Sequence, residues 1–258
     1  MISDLKAVPA GSRTMFRFSA AVIGILLTAP TDAEDKPMTY RVARVQQQAV
    51  ADAEWDGGFW KAIKPLTLRH FMGDRPEHFP HVQAKLAYEE DAVYVIFRVD
   101  DRYVRAVAQK HQDAVWEDSC VEFFFTPGED IAQGYFNLEM NCGGTMLLHY
   151  QRVPRERTSR LAEEDVARID VAHSLPKIVE PEITEPTQWT VAYRLPVEMF
   201  GKYFPAELAQ PAPGVIWRAN LYKCGDKTSH PHWLTWSPVA FERPDFHRPQ
   251  SFGTLVFE

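Results

Sequence analysis

From residue 82 onward the chain is written in short runs whose apolar residues fall on every second position. In Ala92–Val99, Val93, Val95, Phe97 and Val99 share one face, as in a strand with one buried side. Val82–Tyr88 precedes it across Glu89-Glu90-Asp91, which predicts a hairpin. Ser119–Thr126 stops at Pro127-Gly128, and Tyr135–Asn141 stops at Gly143-Gly144 before Thr145–Gln151, a second tight hairpin. Val104–Ala108, Arg168–His173, Gln188–Leu195, Val215–Cys224 and Gly253–Glu258 read as further strands. Only Ser159–Asp165 and Val197–Phe200 predict helix. Nineteen prolines and sixteen phenylalanines suit strands joined by turns better than long helices. These patterns predict an all-β fold, an antiparallel β-sandwich of jelly-roll or immunoglobulin-like type with short helical insertions.

The first forty residues follow other rules. Arg13 and Arg17 precede an apolar run from Phe18 to Ala29, followed by the polar stretch Thr31–Pro37. That is the layout of a secretory signal, with Ala29 or Ala33 as small residues for cleavage. Met15 offers an alternative start directly before the run. The run is too short to span a bilayer comfortably. Residues 1–38 are therefore expected to be signal peptide and linker, and residues 39–258 a single domain that is secreted or periplasmic. No stable membrane insertion is expected after cleavage. A net charge of −7 argues against nucleic acid, because phosphate binding needs concentrated Lys and Arg. Cys120, Cys142 and Cys224 fit no CxxC motif. An exported protein can pair two of them, but buried inert thiols are the simpler reading.

Candidate binding residues come from polarity on particular strands. In Tyr135–Asn141, Asn137, Glu139 and Asn141 alternate with Phe136, Leu138 and Met140. In Val215–Lys223, Arg218, Asn220 and Tyr222 alternate with Trp217, Ala219 and Leu221. Opposite faces of each strand therefore differ sharply in polarity. Amides, a carboxylate and a guanidinium on one face suit sugar hydroxyls, which both donate and accept hydrogen bonds. A plain solvated face is the competing explanation. Trp116, ahead of Ser119–Thr126, and Trp233 and Trp236 in the long C-terminal segment could stack on the apolar face of a sugar ring. Trp55, Trp60, Trp189 and Trp217 are assigned to the core. The loops Arg69–His81, Val153–Ala167 and Cys224–Gln250 are long enough to carry binding.

The run Trp116-Glu117-Asp118-Ser119-Cys120-Val121-Glu122-Phe123-Phe124 resembles the signature strand of family 9 carbohydrate-binding modules. Tyr135–Asn141 with Gly143-Gly144-Thr145 is similar to the family, as are Trp189-Thr190-Val191 with Leu195-Pro196, and Trp217-Arg218-Ala219-Asn220. Trp236-Ser237-Pro238 and Phe252-Gly253-Thr254-Leu255-Val256-Phe257 close the series in the family's order. The resemblance spans Thr39 to Glu258 and implies a sandwich that clamps a sugar between two tryptophans without cleaving it. Trp116 falls on the position of one wall, and Trp233 or Trp236 would supply the other. Glu117 and Asp118 would accept sugar hydroxyls, with Asn137, Glu139, Arg218 and Asn220 as further candidates. The family also implies structural calcium, but no dense Asp/Asn loop of the kind calcium demands is present. None is required here. Family members are commonly attached to a catalytic domain, so a partner glycoside hydrolase is expected.

Four alternatives stand beside this reading. A glycoside hydrolase would draw its two carboxylates from Glu117, Asp118, Glu122 and Glu139. A metal site could use Cys224, Asp226, His230, His232 and His247, although Pro231 restrains the first histidine pair. A haem-binding sandwich would need an axial pair such as Met140 and His149. Exposed aromatics could instead dock a partner protein, which a flat apolar patch around Trp116 would favour over a cleft lined by acids. No Gly-x-Ser-x-Gly elbow or Gly-rich phosphate loop is present, which removes the serine hydrolase and nucleotide readings.

Overall fold

The computed structural model describes residues 38–46 and 52–258; the expected signal peptide lies outside the described residues. The strands are β1 (Thr39–Arg44), β2 (Leu66–Leu68), β3 (His70–Phe71), β4 (His81–Tyr88), β5 (Ala92–Asp101) and β6 (Val104–Ala106). A meander follows: β7 (Cys120–Thr126), β8 (Tyr135–Asn141), β9 (Met146–Val153) and β10 (Arg157–Arg160). The rest are β11 (Asp170–His173), β12 (Val179–Ile183), β13 (Thr187–Pro196), β14 (Ile216–Cys224), β15 (Trp233–Thr235) and β16 (Gly253–Phe257). One helical turn, α1 (Glu163–Val166), and short 3₁₀ turns complete the chain. Among the described residues, no helix is long and apolar enough to cross a membrane.

Two curled sheets face each other. The first runs β10-β9-β8-β7-β14-β16 and the second β11-β13-β5-β4. Strand β1 passes from one to the other, pairing in parallel with β16 at Thr39–Val42 and with β4 at Ala43–Arg44. Strand β14 shares one edge between two partners: Ile216–Ala219 pair with β16, and Tyr222–Cys224 pair with β15. The alternating residues form the core. Val93, Val95, Phe97 and Val99 from β5 pack with Trp189, Val191, Tyr193 and Leu195 from β13 and with Phe123, Phe125, Leu138 and Trp217 from the first sheet. Phe125 and Trp217 stack at 5.4 Å. Fully burying each such side chain contributes roughly 1.5–3 kcal/mol.

Every other residue of β7, β8, β9 and β14 points away from this core, yet most of these are buried too. Phe124, Tyr135, Leu147, Tyr222 and Phe252 form a second apolar cluster there. Loops must therefore cover the outer face of this sheet, and the segment 238–250 does so.

A buried charge cluster joins the sheets. Lys223 Nζ lies 3.3 Å from Asp101 Oδ2, with both side chains fully buried. His78 Nε2 lies 2.7 Å from the other Asp101 oxygen. Lys223 also donates to His232 Nε2 at 2.7 Å, and His232 Nδ1 donates to the His230 carbonyl at 2.9 Å. Burial alone would raise the Asp101 pKa, but Lys223 and the His78 bond outweigh it and hold the carboxylate below its usual range. Burial, then the Lys223 charge, pushes His232 down to about 3. It is a neutral acceptor here.

The expected helix at Ser159–Asp165 shrinks to α1, and its first residues instead form the edge strand β10. Four exposed residues, Arg157–Arg160, carry no apolar alternation, so only pairing with β9 makes them a strand. Val197–Lys202 is a 3₁₀ turn. Strand β15 lies inside the predicted C-terminal loop, held by β14 and β3.

The His232 environment predicts acid sensitivity. As pH falls from 6.5 towards 3, an unfolded histidine takes up a proton that folded His232 refuses. Stability should therefore fall on acidification, by up to about 5 kcal/mol from this group. Urea unfolding at several pH values should show a clearly shallower acid-side slope for His232→Gln. An unchanged slope contradicts the assignment.

Candidate functional site

The outer face of β7, β8, β9 and β14 forms the floor of a cleft of about 430 Å³. Pleat alternation puts Glu122 and Phe124 of β7, Asn137 and Glu139 of β8, and Leu147, His149 and Gln151 of β9 on this face. Trp116 and Trp233 line it as well, as do Pro244, Asp245, Phe246 and His247.

The two indoles are set by one loop. Trp116 lies in a 3₁₀ turn ahead of β7 and is 38% exposed. Its carbonyl accepts from the Asp226 amide at 3.2 Å, and Lys227 N donates to the Glu117 carbonyl at 3.0 Å. Trp233 opens β15 directly opposite Cys224, and its Nε1 donates to Asp226 Oδ1 at 2.8 Å. Asp226 thus touches both tryptophan segments.

The floor of the cleft carries an ordered polar ladder across β10, β9 and β8. Thr158 Oγ1 donates to Gln151 Oε1 at 2.6 Å, and Gln151 Nε2 donates to Asn137 Oδ1 at 3.0 Å. Asn137 Nδ2 then donates to Glu139 Oε1 at 2.9 Å. Gly134, with φ of 96°, lets β8 begin against Gln151; a Cβ there would meet the Gln151 carbonyl at 2.5 Å. Glu139 sits directly across from Glu122, and its Oε2 is buried without a partner. The Cys224 thiol lies 3.1 Å from Glu122 Oε1 and 3.5 Å from the Trp116 carbonyl. Burial is the main reason both carboxyls resist ionisation. Glu139 is pushed up to about 7 despite the Asn137 donation. Glu122 is pushed well above its ordinary value, with Cys224 and Glu139 adding to the effect. Such groups supply a donor as well as acceptors.

The far wall is pinned by charge and stacking. Arg155 Nη2 lies 2.9 Å from Asp245, which also pairs with Arg248 at 2.6 Å. Phe246 stacks on Tyr222 at 4.1 Å. Tyr135 Oη lies 2.6 Å from His247 Nδ1, and burial and the Arg155 charge depress His247 to about 3. The neutral ring accepts the phenol proton.

The sequence candidates divide between the cleft and its scaffold. Trp116, Asn137, Glu139 and Trp233 line the cleft. Glu117 forms an ion pair with Lys227 at 2.8 Å. Asp118 is buried and accepts from the amides of Val107 and Ala108 and from Asn141 Nδ2. Arg218 donates to the carbonyls of Phe252 and Gly253. Asn220 is bonded to Ser237 through both ends of its amide. Trp236 is 2% exposed and belongs to the core. Met140 faces the core while His149 faces the cleft, so the two cannot ligate one haem iron. His230 stacks on Tyr103 at 3.7 Å and His232 is held by Lys223, away from the histidine in the cleft.

Glu122, Gln151 and His149 were not singled out as sugar ligands, although period-two counting from Val121 and Leu148 would have found them. Asp245 and His247 lie on an irregular segment with no such signal.

The sequence profile of carbohydrate-binding family 9 matches residues 62–257. The chain belongs to carbohydrate-binding family 9. A crystal structure of a Bacteroides uniformis protein, provisionally assigned as carbohydrate-binding, is 32% identical with a TM-score of 0.76, covering 86% of this chain and all of that one. Two structures of a family 9 module from Caldicellulosiruptor kristjanssonii are similar in fold. The complex with cellotriose is 14% identical, with a TM-score of 0.55 over 86% of this chain and 94% of that one. The complex with glucose is 15% identical, with a TM-score of 0.56 over 85% and 96%. No curated protein sequence matches the chain. Membership in family 9 supports carbohydrate binding.

The wall contacts predict a local effect. Arg155→Ala should increase hydrogen exchange in residues 244–248 while global stability shifts by less than about 1 kcal/mol, because the pair is partly exposed. Unchanged exchange would show that stacking on Tyr222 alone holds the wall.

Proposed function

We propose that the cleft receives a sugar ring between Trp116 and Trp233, above Glu122, Glu139 and Asn137, and holds it without cleaving it. The observation that carries this reading is that two indoles and a directed ladder of buried polar groups line one cleft. Indole faces match the apolar C–H faces of a sugar, and the floor can both donate to and accept from its hydroxyls. The family 9 structures with bound cellotriose and glucose support a glucose-type ring as the first ligand to try. In this reading the chain is exported, needs no calcium, and holds saccharide near a surface or a partner glycoside hydrolase.

The neighbouring carboxyls of Glu122 and Glu139 favour hydrolysis as the second reading. A glycosidase places its two carboxyls on opposite sides of the scissile bond. Here they lie side by side on adjacent strands of one floor, both on the same side of the proposed sugar ring. Binding without turnover is the better fit.

Calorimetric titration with mono- and oligosaccharides tests this directly. Saturable binding is expected, with the sugar recovered intact. Trp116→Ala should weaken it by about 1–3 kcal/mol. Undiminished affinity in a folded Trp116→Ala protein sinks the stacking assignment, and released product revives the hydrolase.

A further inference from the structure

Beneath the cleft, two thiols and a carboxyl converge. The sulfurs of Cys120 and Cys224 and a carboxylate oxygen of Glu122 all lie within 4.8 Å of one another, and all three residues are buried. The strands enforce this meeting. Cys120 and Cys224 are direct partners across β7 and β14, and Glu122, two residues along β7, points to the same face. Glu139 adds a second observation. It is 5% exposed, lies directly across from Glu122, and keeps Oε2 without a partner. Asp226 lines the same cleft. The neighbouring ammonium of Lys223 points to the opposite face of the sheet, towards Asp101 and His232. A dense set of potential metal donors is thus assembled here, and Arg155, which lines the same cleft, is ion-paired with Asp245.

We propose that Cys120, Cys224 and Glu122 form a binding site for a zinc-class divalent cation, with its fourth position open towards the cleft. Two thiolates and a carboxylate are a donor set for zinc and its close analogues; magnesium and calcium prefer all-oxygen sites. Zinc bonds of about 2.3 Å to sulfur and 2.0–2.2 Å to oxygen require only small shifts from a cluster this compact. Glu122 and Cys224 line the cleft, which gives the ion a way in. The unpartnered oxygen of Glu139 lies next to the cluster, where it could orient a water bound to the ion. On binding, each thiol and the Glu122 carboxyl release their protons to solvent, and the sulfur and oxygen lone pairs form the metal bonds.

The site goes beyond saccharide binding, and its test needs no sugar. The full chain, reduced and freed of metal with a chelator, is titrated with Zn²⁺ by calorimetry and with Co²⁺ by absorbance. One ion per chain is expected, with the thiolate-to-cobalt charge-transfer band in the cobalt form. The band should vanish in Cys224→Ala and persist in Cys142→Ser, whose thiol lies outside the cluster. Should Cys224→Ala fail to fold, Glu122→Gln serves instead and should weaken Zn²⁺ binding at least tenfold. Absence of the charge-transfer band overturns the site. So does a band that survives Cys224→Ala, undiminished Zn²⁺ affinity in Glu122→Gln, or a Cys120–Cys224 disulfide in the protein as isolated.

Discussion

Glu122 and Glu139 face each other across two adjacent antiparallel strands, and almost none of either side chain reaches solvent. Much of the molecule is arranged around that pair. The strands carrying them bury their inner faces against the second sheet, through Phe123, Leu138 and their neighbours. The outer face therefore cannot be abandoned to water as in a simple two-layer sandwich, because it is also rich in Phe124, Tyr135 and Tyr222. Loops must cover it while leaving room for a ligand. The wall from Pro244 to His247 and the loop between β14 and β15 meet both demands.

The second structural commitment is the Lys223–Asp101 pair with its histidines. Breaking one partner of such a buried pair leaves an uncompensated charge, which costs far more than the intact pair contributes. Lys223 and Cys224 are adjacent in β14 and point to opposite faces. One strand thus anchors the charge cluster on one side and supports the cleft on the other. His232, held by Lys223, lies just before Trp233, so the anchor that joins the sheets also sets the entry of β15. Scaffold and cleft are coupled through two residues of one strand.

Period-two alternation made the β-sandwich legible, because strands that bury one apolar face must write it into every second residue. The same alternation separated Asn137 and Glu139 from Phe136 and Leu138. It could not tell a polar side chain that meets ligand from one that satisfies the backbone. Asp118 and Asn220 share the chemistry of sugar ligands, yet each is spent on main-chain groups. Nor could it separate Trp233 from Trp236, three residues apart, since that depends on where β15 leaves β14. The wall at Asp245 and His247 was illegible because its shape comes from long-range contacts with Arg155 and Tyr135, not from any local pattern.

The most direct test of the central claim is a crystal structure of the chain with the saccharide it binds most tightly. A sugar ring is expected between Trp116 and Trp233, with hydroxyls on Glu122, Glu139 or Asn137. A sugar bound elsewhere, for instance in the shallow cleft formed by Arg69–Phe71 and Pro238–Ala240, would contradict it.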